Sequence, residues 1–118
     1  MKVLALIWAD EHAWAKLPDE EQEAWYERYR EFGRRADAKV LDGAELSPTR
    51  TATTVRVRGA DTALTDGPFA ETREQLAGYY VLDVESMDEA TALAAQIPGA
   101  SHGAVELRAA YDEEGGAS

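Results

Sequence analysis

Asp66, Glu71 and Glu74 fall in one stretch with Gly67, Pro68 and Phe69, the only acid cluster in the chain set among glycine, proline and an aromatic. In such a setting one carboxylate can shuttle a proton, because partial burial and like-charged neighbours raise a carboxyl pKa toward neutrality. The alternative is structural: Asp66 stabilises an Asp-Gly-Pro turn, and the glutamates cap or pair with Arg73. His12, within Asp10-Glu11-His12-Ala13-Trp14, sets an imidazole among carboxylates, the arrangement of a general acid or base near neutral pH. Its alternative is a solvated connector histidine, since no nucleophile lies nearby. His102, between Ser101 and Gly103, reads more readily as structural. No short ligand spacing such as His-Glu-x-x-His occurs, so a metal site would need both histidines to converge with a carboxylate, and none is expected. The chain has no cysteine, which excludes thiolate nucleophiles, cysteine metal sites and disulfides. No glycine-rich phosphate loop is present, and no cofactor is expected. Trp8, Trp14, Tyr79 and Tyr80 are core or cleft-wall residues. Adjacent tyrosines on a strand point to opposite faces, so one meets the helices while the other either orients a ligand or packs at an interface. Arg56 is a candidate for orienting an anionic substrate, and Phe69 and Glu74 complete the candidate ligand-binding set with Trp8 and the tyrosines.

The elements that must position these groups are legible in the patterning. Lys2 to Trp8 is a near-continuous apolar run of the central-strand type. Pro18-Asp19-Glu20-Glu21 reads as a helix start, with proline at the first helical position and acids at the positive end of the helix dipole. Trp25, Tyr29, Phe32 and Ala36 then form one apolar face, and Glu27 and Glu31 sit three or four residues from Arg30, Arg34 and Arg35. Val40-Leu41 begins a second strand ending near Pro48. Thr53 to Val57 and Thr62 to Thr65, joined through Gly59-Ala60-Asp61, read as a hairpin. Tyr79 to Val84 is a strand rich in aromatic and β-branched residues. Ser86 with Glu89 forms a capping box, and Met87, Ala90, Leu93, Ala94 and Ile97 line a helix stopped by Pro98-Gly99. Gly103 to Arg108 alternates as a last strand, and residues 111–118, with Asp112-Glu113-Glu114, read as a polar flexible tail.

The order strand-helix-strand, hairpin, strand-helix-strand predicts a single α+β domain over residues 1–110. Its antiparallel sheet is ferredoxin-like, with two helices on one face and an inserted hairpin. The other face of the sheet also carries apolar side chains, so a homodimer is expected to cover it. A chain of 118 residues builds one domain with a real core. Twenty-three acids against twelve bases give a net charge of −11, which excludes nucleic acid and anionic membrane surfaces as partners. The excess is uneven: residues 33–58 hold three acids and six bases, and residues 59–118 twelve acids and two bases. The basic stretch can orient a small anion even within an acidic protein. The opening apolar run is cut short by Asp10-Glu11-His12, and nothing approaches the roughly 20 apolar residues of a membrane helix, so a cytoplasmic location is expected.

The run Asp66-Gly67-Pro68-Phe69-Ala70-Glu71-Thr72-Arg73-Glu74-Gln75-Leu76-Ala77-Gly78-Tyr79-Tyr80 closely resembles the signature of DGPF-type members of the YCII-related family. The resemblance extends over about residues 1–109, through the Lys2–Ile7 strand, Asp10-Glu11 with Trp14, the Pro18 helix, Thr51 to Arg56, and Ile97-Pro98. It implies a small, bacterial, cytoplasmic, ferredoxin-like dimeric α/β barrel with a cleft beside the Asp66–Leu76 loop. The family looks like a relative of muconolactone isomerase and a chloromuconolactone dehalogenase, and its DGPF branch often lies beside extracytoplasmic-function sigma factors. The pattern is departed from in one respect. The histidine–aspartate pair ascribed to better-known members places its histidine on the first helix, and residues 18–36 contain none. Two functions follow. One is a cofactor-free acid/base enzyme, isomerase- or lyase-like, acting on a small organic acid or lactone with Asp66, Glu71 or His12 as base. The other is a non-catalytic ligand-binding or accessory module linked to sigma-factor regulation.

Overall fold

The alternating run after Met1 builds the central strand of the molecule. A computed structural model describes residues 1–112, together with the backbone of residues 116 and 117. Strand β1 (Lys2–Ala9) lies between β5 (Gln75–Asp83) and β6 (Ala104–Ala109), and β2 (Val40–Glu45) pairs with the far side of β5. All three pairings are antiparallel, giving the order β2-β5-β1-β6 of a ferredoxin-like sheet. Helices α2 (Asp19–Ala36) and α3 (Met87–Ala94) supply the second layer, and a short α1 (Glu11–Ala15) follows β1 directly. No helix among the described residues is long and apolar enough to cross a membrane.

The period-2 pattern of β1 sorts its side chains. Val3, Ala5 and Ile7 are buried against Phe32 and Ala36 of α2, Ala90 and Ala94 of α3, and Leu82, Val84 and Ile97. Tyr80, opposite Ala5 in the ladder, joins this side and places its ring 5.3 Å from that of Phe32. Leu4, Leu6 and Trp8 point the other way, beside Val81 and Tyr79, and no helix among the described residues joins the core on this second face.

Several boundaries differ from the sequence expectation for identifiable reasons. The connector after β1 is helical because Asp10 accepts hydrogen bonds from the backbone N–H groups of His12 and Ala13, so that a third helix joins the two expected. Pro18 takes the N-cap position itself, one step before the helix proper. Helix α3 ends at Ala94, short of Pro98-Gly99, which instead opens a 3₁₀ turn over Pro98–Ser101. Met87 stays exposed, while Ala90, Ala94 and Ile97 are buried as the periodicity implies. Ser86 accepts from the Glu89 N–H, as in a capping box, but the Glu89 carboxylate reaches the N–H of Glu85, not that of Ser86. The hairpin is present as β3 (Thr53–Arg58) and β4 (Asp61–Asp66), and it forms a sheet of its own. Tyr111–Asp112 (β7) pairs with Gly116–Ala117 (β8), so the expected tail begins in a short ladder; Glu113, Glu114, Gly115 and Ser118 lie outside the described residues.

Candidate functional site

Three segments meet at the end of the sheet where β1 finishes and β5 begins: helix α1, the 3₁₀ turn Thr49–Thr51 leading into the hairpin, and the loop 67–74. Gln75 is the one polar side chain buried among the described residues. Its Oε1 accepts the backbone N–H of Glu11 at 2.9 Å, and its Nε2 donates to the carbonyls of Thr72 at 2.6 Å and Arg73 at 3.4 Å. Glu11 in turn accepts the Thr49 N–H at 3.0 Å and the Thr49 hydroxyl. These bonds hold the Glu11 carboxyl below its ordinary range, those from Thr49 being the largest cause, with His12 and Arg50 adding charge. Gly67, at φ 102°, makes the turn that only glycine adopts readily. Its N–H donates to the Ala52 carbonyl at 2.7 Å, and its own carbonyl accepts the Thr54 hydroxyl at 2.9 Å, which fixes the loop to the base of the hairpin.

The predicted site residues lie partly on these segments and partly on the hairpin and the strands β1 and β5. Asp66 ends β4 opposite Thr53 in the ladder, and Glu71 and Glu74 lie in the loop. All three are exposed, so the partial burial expected to tune one of them is not found in the single chain. His12 is exposed on α1, and the acids beside it have structural work: Asp10 caps the helix and Glu11 holds Thr49. Phe69 does not anchor the loop in the core. It is 76% exposed, and the Arg56 guanidinium lies 5.1 Å from its ring centroid, a cation–π contact between loop and hairpin. Tyr79 and Tyr80 take opposite faces, Tyr80 meeting the helices and Tyr79 the uncovered side, with burial raising the Tyr80 pKa. Trp8 also lies on the uncovered side and donates its indole N–H to Glu106 at 3.0 Å. His102 is exposed and its ring meets that of Trp25 at 4.3 Å between centroids, tilted by 59°.

Glu11, Thr49, Gln75 and Glu106 were not singled out from sequence. Glu11 and Gln75 sit inside motifs that were, but their contacts span 38 and 64 residues and have no local signature. Two shallow concavities lie away from the junction, one at Arg30, Gly33, Arg34 and Asp37 and the other between α3 and β6. Among the described residues no group of three His, Cys, Asp or Glu side chains could hold a metal ion.

The fold and this junction define a small ferredoxin-like α+β protein with an inserted hairpin and a signature loop fixed at one end of its sheet. The model of the YCII-related domain matches residues 1–113, and the chain belongs to that family. It is also similar to a protein of Rhizobium meliloti (strain 1021) described as uncharacterised, 40% identical over 102 residues that cover 81% of this chain and 78% of the relative.

Proposed function

We propose that this protein is a cytoplasmic homodimer of the DGPF-type branch that binds a small organic acid or lactone beside the 67–74 loop and moves a proton on it without a cofactor. The single observation that carries this reading is the junction itself. The buried Gln75 amide and the Glu11 carboxylate tie together the segment bearing His12, the loop bearing Glu71 and Glu74, and the turn that leads into the hairpin carrying Arg56 and Asp66. Residue order within the loop supports the DGPF-type assignment, because Gly67 takes the positive φ its Asp-Gly-Pro turn demands. The uncovered sheet face, with Leu4, Leu6, Trp8, Tyr79 and Val81, supports a second copy packed upon it. In this dimer the loop acids gain the burial that the single chain does not give them, and one of Asp66, Glu71 or His12 acts as base. Arg56 and Tyr79 orient the anion. The acidic, cysteine-free composition is compatible with the cytoplasm.

Exposure of Asp66, Glu71 and Glu74 favours a second reading, in which the same junction binds a small acid without turning it over, as an accessory module in sigma-factor regulation. Proton exchange separates the two. The wild-type protein is incubated in D₂O with a panel of small lactones and organic acids, and loss of the acidic C–H signal is followed by proton NMR. Exchange in the wild type that falls by about 10²–10⁴-fold in Asp66→Asn, Glu71→Gln or His12→Gln, with ligand binding retained, supports the enzyme. Equal exchange in all three variants contradicts it, and binding without exchange leaves the accessory module.

A further inference from the structure

The chain contains two Asp-Gly steps, Asp42-Gly43 within β2 and Asp66-Gly67 at the end of β4. Such a step can close on itself. The glycine amide nitrogen attacks the aspartate carboxyl carbon, one water leaves, and a five-membered succinimide forms. Water then opens the ring at either carbonyl, returning aspartate or giving isoaspartate, whose main chain runs through the side-chain carbon. Glycine favours the closure because no Cβ shields its nitrogen. The structure separates the two steps. In the first, the Gly43 N–H is turned onto the preceding carboxylate, 2.8 Å from Asp42 Oδ1, so the reacting groups already touch. Asp42 and Gly43 are exposed on the outermost strand of the sheet, where the register against β5 shifts between Val40 and Asp42. In the second, the Gly67 N–H is committed elsewhere, donating to the Ala52 carbonyl at 2.7 Å, while the Gly67 carbonyl accepts the Thr54 hydroxyl at 2.9 Å.

We propose that Asp42-Gly43 is a site of spontaneous isoaspartate formation and that the hydrogen bonds at Gly67 protect Asp66-Gly67 from the same reaction. Packing accounts for the labile pair. A Cβ on Gly43 would lie 2.7 Å from Cδ1 of Tyr80 and 2.8 Å from the Tyr79 carbonyl oxygen, so a side chain that would shield the nitrogen does not fit. Tyr80 occupies that space because its ring packs on Phe32 in the core. Ring closure requires the strand to open locally, and β2 is held on one side only, by β5. The balance is complete: the water lost on closure is regained on opening, with no oxidant, reductant or enzyme. The product lengthens the main chain by a carbon inside the β2–β5 ladder. That breaks the pairing of Gly43 with Tyr80 and Ala44 with Tyr79, and it displaces Glu45 from the Tyr26 hydroxyl that donates to it at 3.0 Å.

The test holds the purified wild-type protein in H₂¹⁸O at mildly acidic pH and follows it by tryptic mapping. Cleavage after Lys39, Arg50, Arg58 and Arg73 puts the two steps on separate peptides, residues 40–50 and 59–73. Isoaspartate appears as a second chromatographic peak of unchanged sequence that has taken up ¹⁸O and is methylated by an isoaspartyl methyltransferase used as the probe. Conversion in residues 40–50 is expected to run about tenfold faster than in 59–73, the factor set by the hydrogen bonds that must break at Gly67. In denaturant, where both amides are free, the two rates should converge. Equal rates in the folded protein, or no conversion at Asp42, overturn the proposal. A difference that persists in denaturant belongs to the local sequence and overturns the structural account. Asp42→Glu, whose longer side chain closes a six-membered ring far more slowly, should remove the new peak from 40–50 and leave 59–73 unchanged. A peak that survives the substitution contradicts the assignment.

Discussion

Gln75 satisfies one backbone donor and two backbone carbonyls at a point where three chain segments converge. Replacing it with leucine removes three part-buried hydrogen bonds, at a cost of about 1–3 kcal/mol. Urea unfolding of Gln75→Leu is expected to show that loss, with faster amide exchange across residues 67–74. Glu11 adds a dependence on pH. Its folded carboxyl is held below the ordinary value of 4.5 by Thr49, so its contribution is complete above the carboxylate range and is lost as pH falls through the lowered value. The 49–52 turn should therefore loosen on acidification, and Glu11→Gln should flatten that dependence in acid unfolding. Tyr29 gives the opposite sign at the alkaline end. Burial pushes its phenol up to about 12 from 10.0, so the fold prefers the neutral form. Its contribution is intact below pH 10 and disappears as pH rises toward 12, which alkaline unfolding followed by tyrosinate absorbance will show, with Tyr29→Phe less sensitive. At this scale the sequence was only partly legible. Asp66, Glu71 and His12 advertise chemistry by type and neighbourhood, while the partnership of Glu11 with Thr49 depends on a turn 38 residues away.

Helix α3 shows what local patterning can specify. Ser86 caps it and Ala90 and Ala94 go inside, as spacing alone indicates, with Ile97 buried just beyond its end. Ser86→Ala is expected to cost about 1 kcal/mol by removing the acceptor for the Glu89 N–H, measurable by thermal or urea unfolding. Gly103 makes a different demand. A Cβ there would overlap the carbonyl oxygen of Trp8, a backbone atom held in the β1–β6 ladder, so Gly103→Ala must displace the start of β6. Overpacking of this kind costs about 1–3 kcal/mol and should appear as a lowered denaturation midpoint. The strands and both long helices were legible because period 2 and period 3.6 are written into consecutive residues. Helix α1 was missed because five residues are too few to show a period, and only Asp10 as a cap marks it. The start of β5 lies within the run that its Asp-Gly-Pro turn chemistry marks as a loop, and its register against β1 is interrupted between Ile7 and Trp8.

Across the whole molecule, the two-layer arrangement leaves two faces without a second layer among the described residues: a sheet face on which Glu106 and Arg108 flank half-buried Leu4, Leu6, Tyr79 and Val81, and a ribbon face with exposed Val55, Val57 and Leu64. Element order was enough to foresee the sheet topology, since two strand-helix-strand halves sharing an antiparallel sheet pack in few ways. The projection of the hairpin was not foreseeable, because alternation within β3 and β4 specifies their pairing and not the surface on which they rest. The proposed function calls for a second copy, because the loop acids are exposed in one chain and the proposal assigns their burial to a dimer. Native mass spectrometry of the purified protein at micromolar concentration tests this most directly, reporting the assembly and any retained small acid together. The account predicts a species at twice the chain mass of 12.9 kDa. A species at the mass of the single chain, persisting as concentration is raised, would contradict it.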